Sequence, residues 1–215
     1  MDTRIDHFMY AVPSLDEGMA WARDTFGVEP AYGGAHVGLG TCNALLSLGT
    51  NYLEIIAPDP AQDFAGTLGE KFANLSTGGM VTWAAEGDLN AIAAMLQDLG
   101  MQTLGPNRTE RKTADDDLLV WDLLFPLGSS EDGRMPFFID WLACANPRDT
   151  NPVAGEFRAL TIASPTAEDL AAKLTSIGLE LAIENGRPAI TVAIDTPRGP
   201  VELMSTEETA RIRMR

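Results

Sequence analysis

Three times along this chain a short apolar stretch with strand character is followed by an amphipathic helix and then by further apolar runs. Ile5 to Val12 opens the first repeat. Ser14, with Glu17 three residues on, forms a capping box, and Leu15, Met19, Ala22 and Phe26 fall on one helical stripe that Gly27 ends. The second repeat starts at Met80 to Ala85, with Asp88 as cap, a stripe of Leu89, Ile92, Leu96 and Leu99, and Gly100 as stop. In the third, Arg158 to Ala163 is the strand, Thr166 with Asp169 the capping pair, Leu170, Leu174 and Ile177 the stripe, and Gly178 the stop. Stop glycines at 27, 100 and 178 recur at intervals of 73 and 78 residues, which points to three related units.

The remainder of each unit reads as strand. Cys42 to Leu48 and Tyr52 to Ile56 flank the turn Gly49-Thr50-Asn51. Leu118 to Phe125 and Pro136 to Leu142 flank residues 128–133, too long for a tight turn and expected to be mobile. Pro188 to Ile194 and Val201 to Met204 flank Thr196-Pro197-Arg198-Gly199-Pro200. Each unit is therefore predicted to be βαβββ: 1–60 the first, 61–145 a connector and the second, 153–205 the third, all within one compact domain. The class is α+β, with mixed sheets curled into a cup and helices outside. One such unit leaves an apolar sheet face uncovered, so units must pair, and the inner face of the cup is a pocket. A third, odd unit covers a sheet edge or recruits a second chain, so a homodimer is expected.

Composition narrows the partners. The 215 residues are 45% hydrophobic with 20 Gly and 13 Pro, enough apolar material for a core and too little bias for a low-complexity chain. A net charge of −16 repels phosphate backbones and anionic lipid, so neither nucleic acid nor membrane is an expected partner. The start, Met1 to His7, is charged where a signal peptide is apolar, and no run approaches the ~20 apolar residues of a membrane span, so the cytoplasm is expected. Cys42 and Cys144 have no metal-site spacing and read as small hydrophobes. No nucleophile elbow, P-loop or dinucleotide fingerprint is present.

Ile5-Asp6-His7, Gly40 to Gly49 and Tyr52-Leu53-Glu54-Ile55-Ile56-Ala57-Pro58 resemble the glyoxalase-like branch of the vicinal-oxygen-chelate superfamily, which includes bleomycin-resistance proteins and dioxygenases. The likeness is strongest over residues 4–60; Phe137 to Trp141 and Asp195 to Leu203 look like strand-ending pieces of the same kind. The resemblance implies a cup-bound divalent metal (Fe, Mn, Zn or Ni) held by a first-strand His and a fourth-strand Glu, here His7 and Glu54, with further ligands from a paired unit. Val81 and Ala159 stand where a second histidine would, whereas Asp140 and Glu202 correspond to Glu54, which suggests a reduced set of His7, Glu54 and either Asp140 or Glu202. The implied activity is polarisation of vicinal substrate oxygens by the metal, of isomerase, lyase or ring-cleaving dioxygenase type, with Glu54 moving a proton; the glyoxalase I reaction itself is not expected. A metal-free binding or drug-sequestering protein is the alternative, and the negative charge would then favour a cationic ligand.

Other residues admit two readings. Tyr52, Glu54 and Ile56 share one strand face, where an unpartnered carboxylate is costly, so Glu54 requires a metal, His7 or an arginine. His7 is a pocket residue or a hydrogen-bonded structural histidine. His36, among glycines, approaches a ligand or lies in a surface loop, and Asn43 bonds a ligand or fixes a turn. Trp83, Trp121 and Trp141 line the cup as an aromatic wall or belong to ordinary core. Arg108 and Arg111 greet a carboxylate substrate or belong to a solvated basic loop, the loop being preferred, and Asp115-Asp116-Asp117 reads as solvated charge.

Overall fold

The structure, a computed structural model, describes residues 2–112, 118–128 and 131–214, so Asp115-Asp116-Asp117 lies outside the described residues. The first repeat folds as β1 (Arg4–Ala11), α1 (Leu15–Phe26), β2 (Ala31–His36), β3 (Thr41–Ser47) and β4 (Tyr52–Pro58). A short α2 (Leu68–Ala73) leads to the second: β5 (Gly79–Glu86), α3 (Leu89–Asp98), β6 (Gln102–Lys112), β7 (Leu118–Leu127) and β8 (Phe137–Asp140). A single turn of helix, α4 (Pro147–Thr150), precedes β9 (Glu156–Ser164), α5 (Ala167–Ser176), β10 (Ala182–Asn185), β11 (Ala189–Thr196) and β12 (Gly199–Met204).

The predicted caps account for the first two helices. Ser14 Oγ accepts from the Glu17 N–H at 3.5 Å, and Asp88 Oδ1 accepts from the N–H groups of Asn90 and Ala91 at 3.0 and 3.1 Å. Gly27 and Gly100 adopt φ of 76°, the left-handed conformation that ends a helix cheaply only at glycine. In the third unit Thr166 makes no cap bond. Its hydroxyl is drawn away to the Glu131 carboxylate, a tertiary partner invisible to local sequence.

The first two units fuse into one eight-stranded sheet, ordered β2-β3-β4-β1-β5-β8-β7-β6. β1 runs antiparallel to β5 at the seam, while β1–β4 and β5–β8 are parallel pairs, so the two halves repeat each other. The sheet curls until its edge strands β2 and β6 approach one another. Its convex face packs Phe8, Leu53, Ile55, Trp83 and Phe138 against α1 and α3. The third unit forms a separate sheet, β10-β9-β11-β12, whose Leu160, Ile162, Ile190 and Val192 join that same core. The odd unit thus packs on the convex face of its own chain, whereas a sheet edge was the expected place for it. Burial of each such Leu, Ile or Phe side chain contributes roughly 1.5–3 kcal/mol.

Three segments depart from the sequence reading. The glycine-rich stretch around His36 and the basic stretch at 105–112 are the edge strands β2 and β6, not loops. Within 128–133, expected to be mobile, Glu131 is anchored: it is buried and bonded to the equally buried Arg134, whose Nε donates to Glu131 Oε2 at 3.1 Å. The strand expected to reach Leu142 stops at Asp140, whose Oδ1 accepts from the Leu142 N–H at 2.8 Å as Leu142 turns to φ 55°.

Candidate functional site

The concave face encloses a cavity of about 490 Å³. Successive strand residues point to opposite faces, and β1 places His7 and Met9 inward in that alternation. Asp6 would then face away, but it is the extra residue of a β-bulge, since Ile5 pairs with Ala85 and His7 with Ala84. The bulge swings the Asp6 carboxylate to His7, whose Nδ1–H donates to Oδ1 at 2.7 Å. Asp6 is itself buried and accepts from Trp141 Nε1 at 3.2 Å and Asn146 Nδ2 at 2.7 Å. Burial pushes its carboxyl up, yet the bond from His7 and these two donors outweigh that and hold it below the ordinary value.

His7 Nε2 is directed at Glu54, 3.4 Å from Oε2. Tyr52 stacks on the imidazole at 4.5 Å between ring centroids. Burial favours neutral imidazole, but the bonds to Asp6 and Glu54 overrule it and raise His7 to about 9. Burial likewise pushes Glu54 up, and the His7 bond together with Asn43 brings it down to about 2. His7 is therefore a held imidazolium and Glu54 a held carboxylate at neutral pH.

Asn43, on β3 opposite Ile56 of β4, organises the rest. Its Nδ2 donates to Glu54 Oε1 at 2.7 Å and stands 3.3 Å from His36 Nε2, while Oδ1 accepts from Arg111 Nη1 at 3.0 Å. A carboxylate needs a donor and a guanidinium an acceptor, so the amide has only one sensible orientation. His36 Nδ1 lies 3.0 Å from Thr41 Oγ1. Burial holds His36 below its ordinary value despite Glu54 pulling it up, so it is the neutral imidazole of the site, accepting at Nε2.

Arg111 was assigned to a solvated loop; it lies on edge strand β6, lines the cavity and reaches across the gap to the other edge. Gly33 and Gly34 of β2 make room for it. A Cβ on Gly33 would stand 2.2 Å from Asn43 Oδ1 and 2.9 Å from Arg111 Nη1, and one on Gly34 would stand 2.7 Å from Arg111 Cδ. The glycine pair was the available sequence signal, but its partner is 77 residues away along the chain.

The structure brings His7, His36, Asn43, Glu54, Trp121 and Trp141 together on the cavity wall. It places Trp83 elsewhere: Trp83 is wholly buried in the convex core and its Nε1–H donates to the Arg134 carbonyl at 2.9 Å. Asp140 is also displaced. Phe137 and Ile139 of β8 point into the cavity and Phe138 into the convex core, so Asp140 follows the outward parity and caps a turn. Glu202 is exposed on the outer sheet and reaches no cavity residue. From β7, β8 and the turn after them the cavity receives Trp121, Leu123, Phe125, Phe137, Ile139 and Trp141, a wall of hydrocarbon and rings, and from β6 it receives Thr109, Glu110 and Arg111. Lys71 of α2 and Met214 of the C-terminal tail also border it.

A divalent metal, expected from the resemblance, does not fit these side chains. His7 and Glu54 come from the first unit alone, and across the cup the second unit offers rings, hydrocarbon and, from edge strand β6, Thr109, the exposed Glu110 and the Arg111 cation. Glu54 is already bonded by His7 and Asn43, and the Arg111 cation sits behind that amide. Among the described residues, no group of three or more His, Cys, Asp or Glu side chains is arranged to hold a metal ion. Nor, among them, is any helix long and apolar enough to cross a membrane.

The sequence model of the glyoxalase-like domain family matches residues 5–178. No curated protein matches the chain. Among solved structures, a hypothetical protein from Staphylococcus aureus superposes with a TM-score of 0.67 at 19% identity, over 94% of this chain and 85% of its own. A hypothetical protein from Bacillus halodurans C-125 gives 0.51 at 16% identity, over 67% of this chain and 99% of its own. A Streptomyces coelicolor methylmalonyl-CoA epimerase in complex with 2-nitronate-propionyl-CoA gives 0.49 at 22% identity, over 67% and 98%. At these identities the likeness is one of fold.

Proposed function

The chain belongs to the glyoxalase-like domain family, and on that premise we propose that its cavity binds a small organic molecule with a flat or hydrocarbon body and performs acid–base chemistry on it through His7 and Glu54. The supporting observation is the chain of contacts Asp6–His7–Glu54 at the polar end of an aromatic-walled cavity. Sites that set neighbouring titratable groups far apart in pKa assign the acid and the base, and here His7 near 9 faces Glu54 near 2. A carbonyl oxygen entering between them takes the Nε2–H of His7, which frees Glu54. Glu54 then accepts a proton from the carbon next to the carbonyl. In an α-hydroxycarbonyl substrate the C–H electron pair becomes a bond between the two carbons and the carbonyl π pair moves to its oxygen, whose negative charge faces the imidazolium. The hydroxyl proton then passes to that oxygen, the hydroxyl-bearing carbon becomes the new carbonyl, and Glu54 returns its proton to the former carbonyl carbon, which completes an isomerisation. The reaction class is isomerase or lyase, and metal polarisation, the other expectation from sequence, requires a cluster of donors that is not assembled among the described residues.

The test is deuterium incorporation. Chelator-treated protein in deuterium oxide is incubated with aryl-substituted hydroxyketones and 2-oxo acids, and loss of the α-proton is followed by NMR. The expected result is exchange without added metal that falls about 100-fold or more in Glu54→Gln, the scale of a general base. Exchange that appears only on adding Fe, Mn, Zn or Ni would replace this reading with the metal-dependent one. A binding protein is the second reading, favoured by the mutual satisfaction of His7, Glu54 and Asn43 in the ligand-free chain; binding without exchange would select it.

A further inference from the structure

The overall charge of −16 points to a cationic ligand, but the cavity has its own local charge. Of the lysine and the arginine that border it, Lys71 is engaged by the Arg213 carbonyl, to which Nζ donates at 2.8 Å. Arg111 has no carboxylate partner among the described residues: its contact is the neutral Asn43 amide through Nη1, and its Nε is buried with no hydrogen-bond partner. A buried donor left unsatisfied costs free energy, and an arginine so placed is explained by an acceptor that arrives from outside the chain. The guanidinium is also fixed in place. Asn43 holds one corner and Gly33–Gly34 form the notch in which its stem lies, so little ordering remains to be done on binding. With His7 and Glu54 compensating one another, Arg111 is the cation at the polar end of the cavity that has no carboxylate partner among the described residues, and the exposed Glu110 beside it on β6 is the other charge of that wall.

We propose that Arg111 is the specificity-determining residue of the cavity, receiving a carboxylate on the substrate at the cavity-facing end of its guanidinium. The substrate class is then a small aryl or alkyl carboxylate, its body against Trp121, Trp141, Phe125 and Phe137 and its charged end at the β2–β6 gap. A planar carboxylate matches the fork of a guanidinium with two parallel bonds, a geometry that neither an amide nor a cation reproduces. The inference rests on the reading of the cavity as a small-molecule site and adds the chemical class; it does not depend on the proton-transfer step.

Binding discrimination tests it. Benzoate, phenylacetate and phenylpyruvate, each beside its neutral carboxamide, are titrated against the full chain by quenching of tryptophan fluorescence and by calorimetry. The wild-type chain is expected to favour carboxylate over carboxamide by about 10- to 100-fold, the range of a charge-assisted pair. In Arg111→Gln the preference collapses to within about threefold while carboxamide affinity is retained, and Arg111→Lys, which keeps charge but loses the fork, falls between. Gly34→Ala, which displaces the Arg111 stem, reproduces the loss in a chain whose arginine is intact. Equal binding of the two ligand classes by wild type, binding of neither across the panel, or discrimination surviving in Arg111→Gln overturns the proposal. Discrimination without deuterium exchange upholds Arg111 and removes the acid–base reading, so the two fail separately.

Discussion

Asp6 and His7 are adjacent in sequence, yet their side chains meet, Oδ1 to Nδ1 at 2.7 Å, because a bulge in β1 cancels the alternation of faces. The contact fixes the imidazole with Nε2 toward Glu54, much as a buried carboxylate orients a catalytic histidine elsewhere. Asp6→Asn keeps the shape and removes the charge. His7 is expected to fall from about 9 toward its ordinary value, read from the pH dependence of its imidazole resonances, with a stability loss of roughly 2 kcal/mol from the weakened bonds of Trp141 and Asn146. An unmoved His7 titration would show that Glu54 alone sustains the imidazolium.

These shifts set a pH window for stability. His7 is raised from 6.5 to about 9 on folding, so its stabilisation is complete below pH 6.5 and is lost as pH climbs through 9. Glu54 is depressed from 4.5 to about 2, so its contribution is complete above pH 4.5 and disappears as pH falls toward 2. His36, held below 6.5, opposes protonation and starts to subtract as pH drops under that value. Urea denaturation across pH is expected to place the maximum near the upper end of the interval from 4.5 to 6.5. In His7→Gln the alkaline decline from this site vanishes; an unchanged alkaline limb would contradict the assignment.

Glu131 ties the connection before β8 to the third unit. Its carboxylate accepts from the buried Arg134 Nε at 3.1 Å and the buried Ser164 Oγ at 2.8 Å, and from the hydroxyl of the exposed Thr166. Glu131→Ala leaves a buried guanidinium without this counter-charge and is expected to cost about 3–5 kcal/mol in chemical denaturation. Ligand binding at the cavity should be unaffected at temperatures where the variant remains folded.

What was legible in the sequence was whatever local chemistry dictates. Ser14, Asp88, Gly27 and Gly100 mark helix ends by their own hydrogen bonds and dihedrals, and β3 and β4, buried throughout, read as mostly apolar runs broken at Asn43 and Glu54. Glu54 was legible for the same reason, as a carboxylate on an apolar face that needed a partner. Arg111 was not, because an edge strand of mixed polarity looks like a loop until its partner strand is known, and the Gly33–Gly34 notch acquires meaning only when β6 arrives beside β2. Asp6 was hidden by its bulge. Strict alternation sends it outward, and only the pairing with β5 reveals the extra residue.

Asp140 is where chain alignment and strand parity disagree most sharply. Counting along the units makes it the counterpart of Glu54, but β8 is only Phe137–Asp140, and its inward positions are Phe137 and Ile139. The side chain serves the turn at Leu142, an acceptor role that an amide oxygen fills as well. Asp140→Asn is therefore expected to leave ligand binding and deuterium exchange within about twofold of wild type, against a loss of about 100-fold or more for Glu54→Gln. Steady-state exchange rates of the two variants, measured side by side, decide the matter. Comparable losses in both would return Asp140 to the cavity and restore the paired-carboxylate site, while a silent Asp140 leaves the chemistry to one unit of the cup.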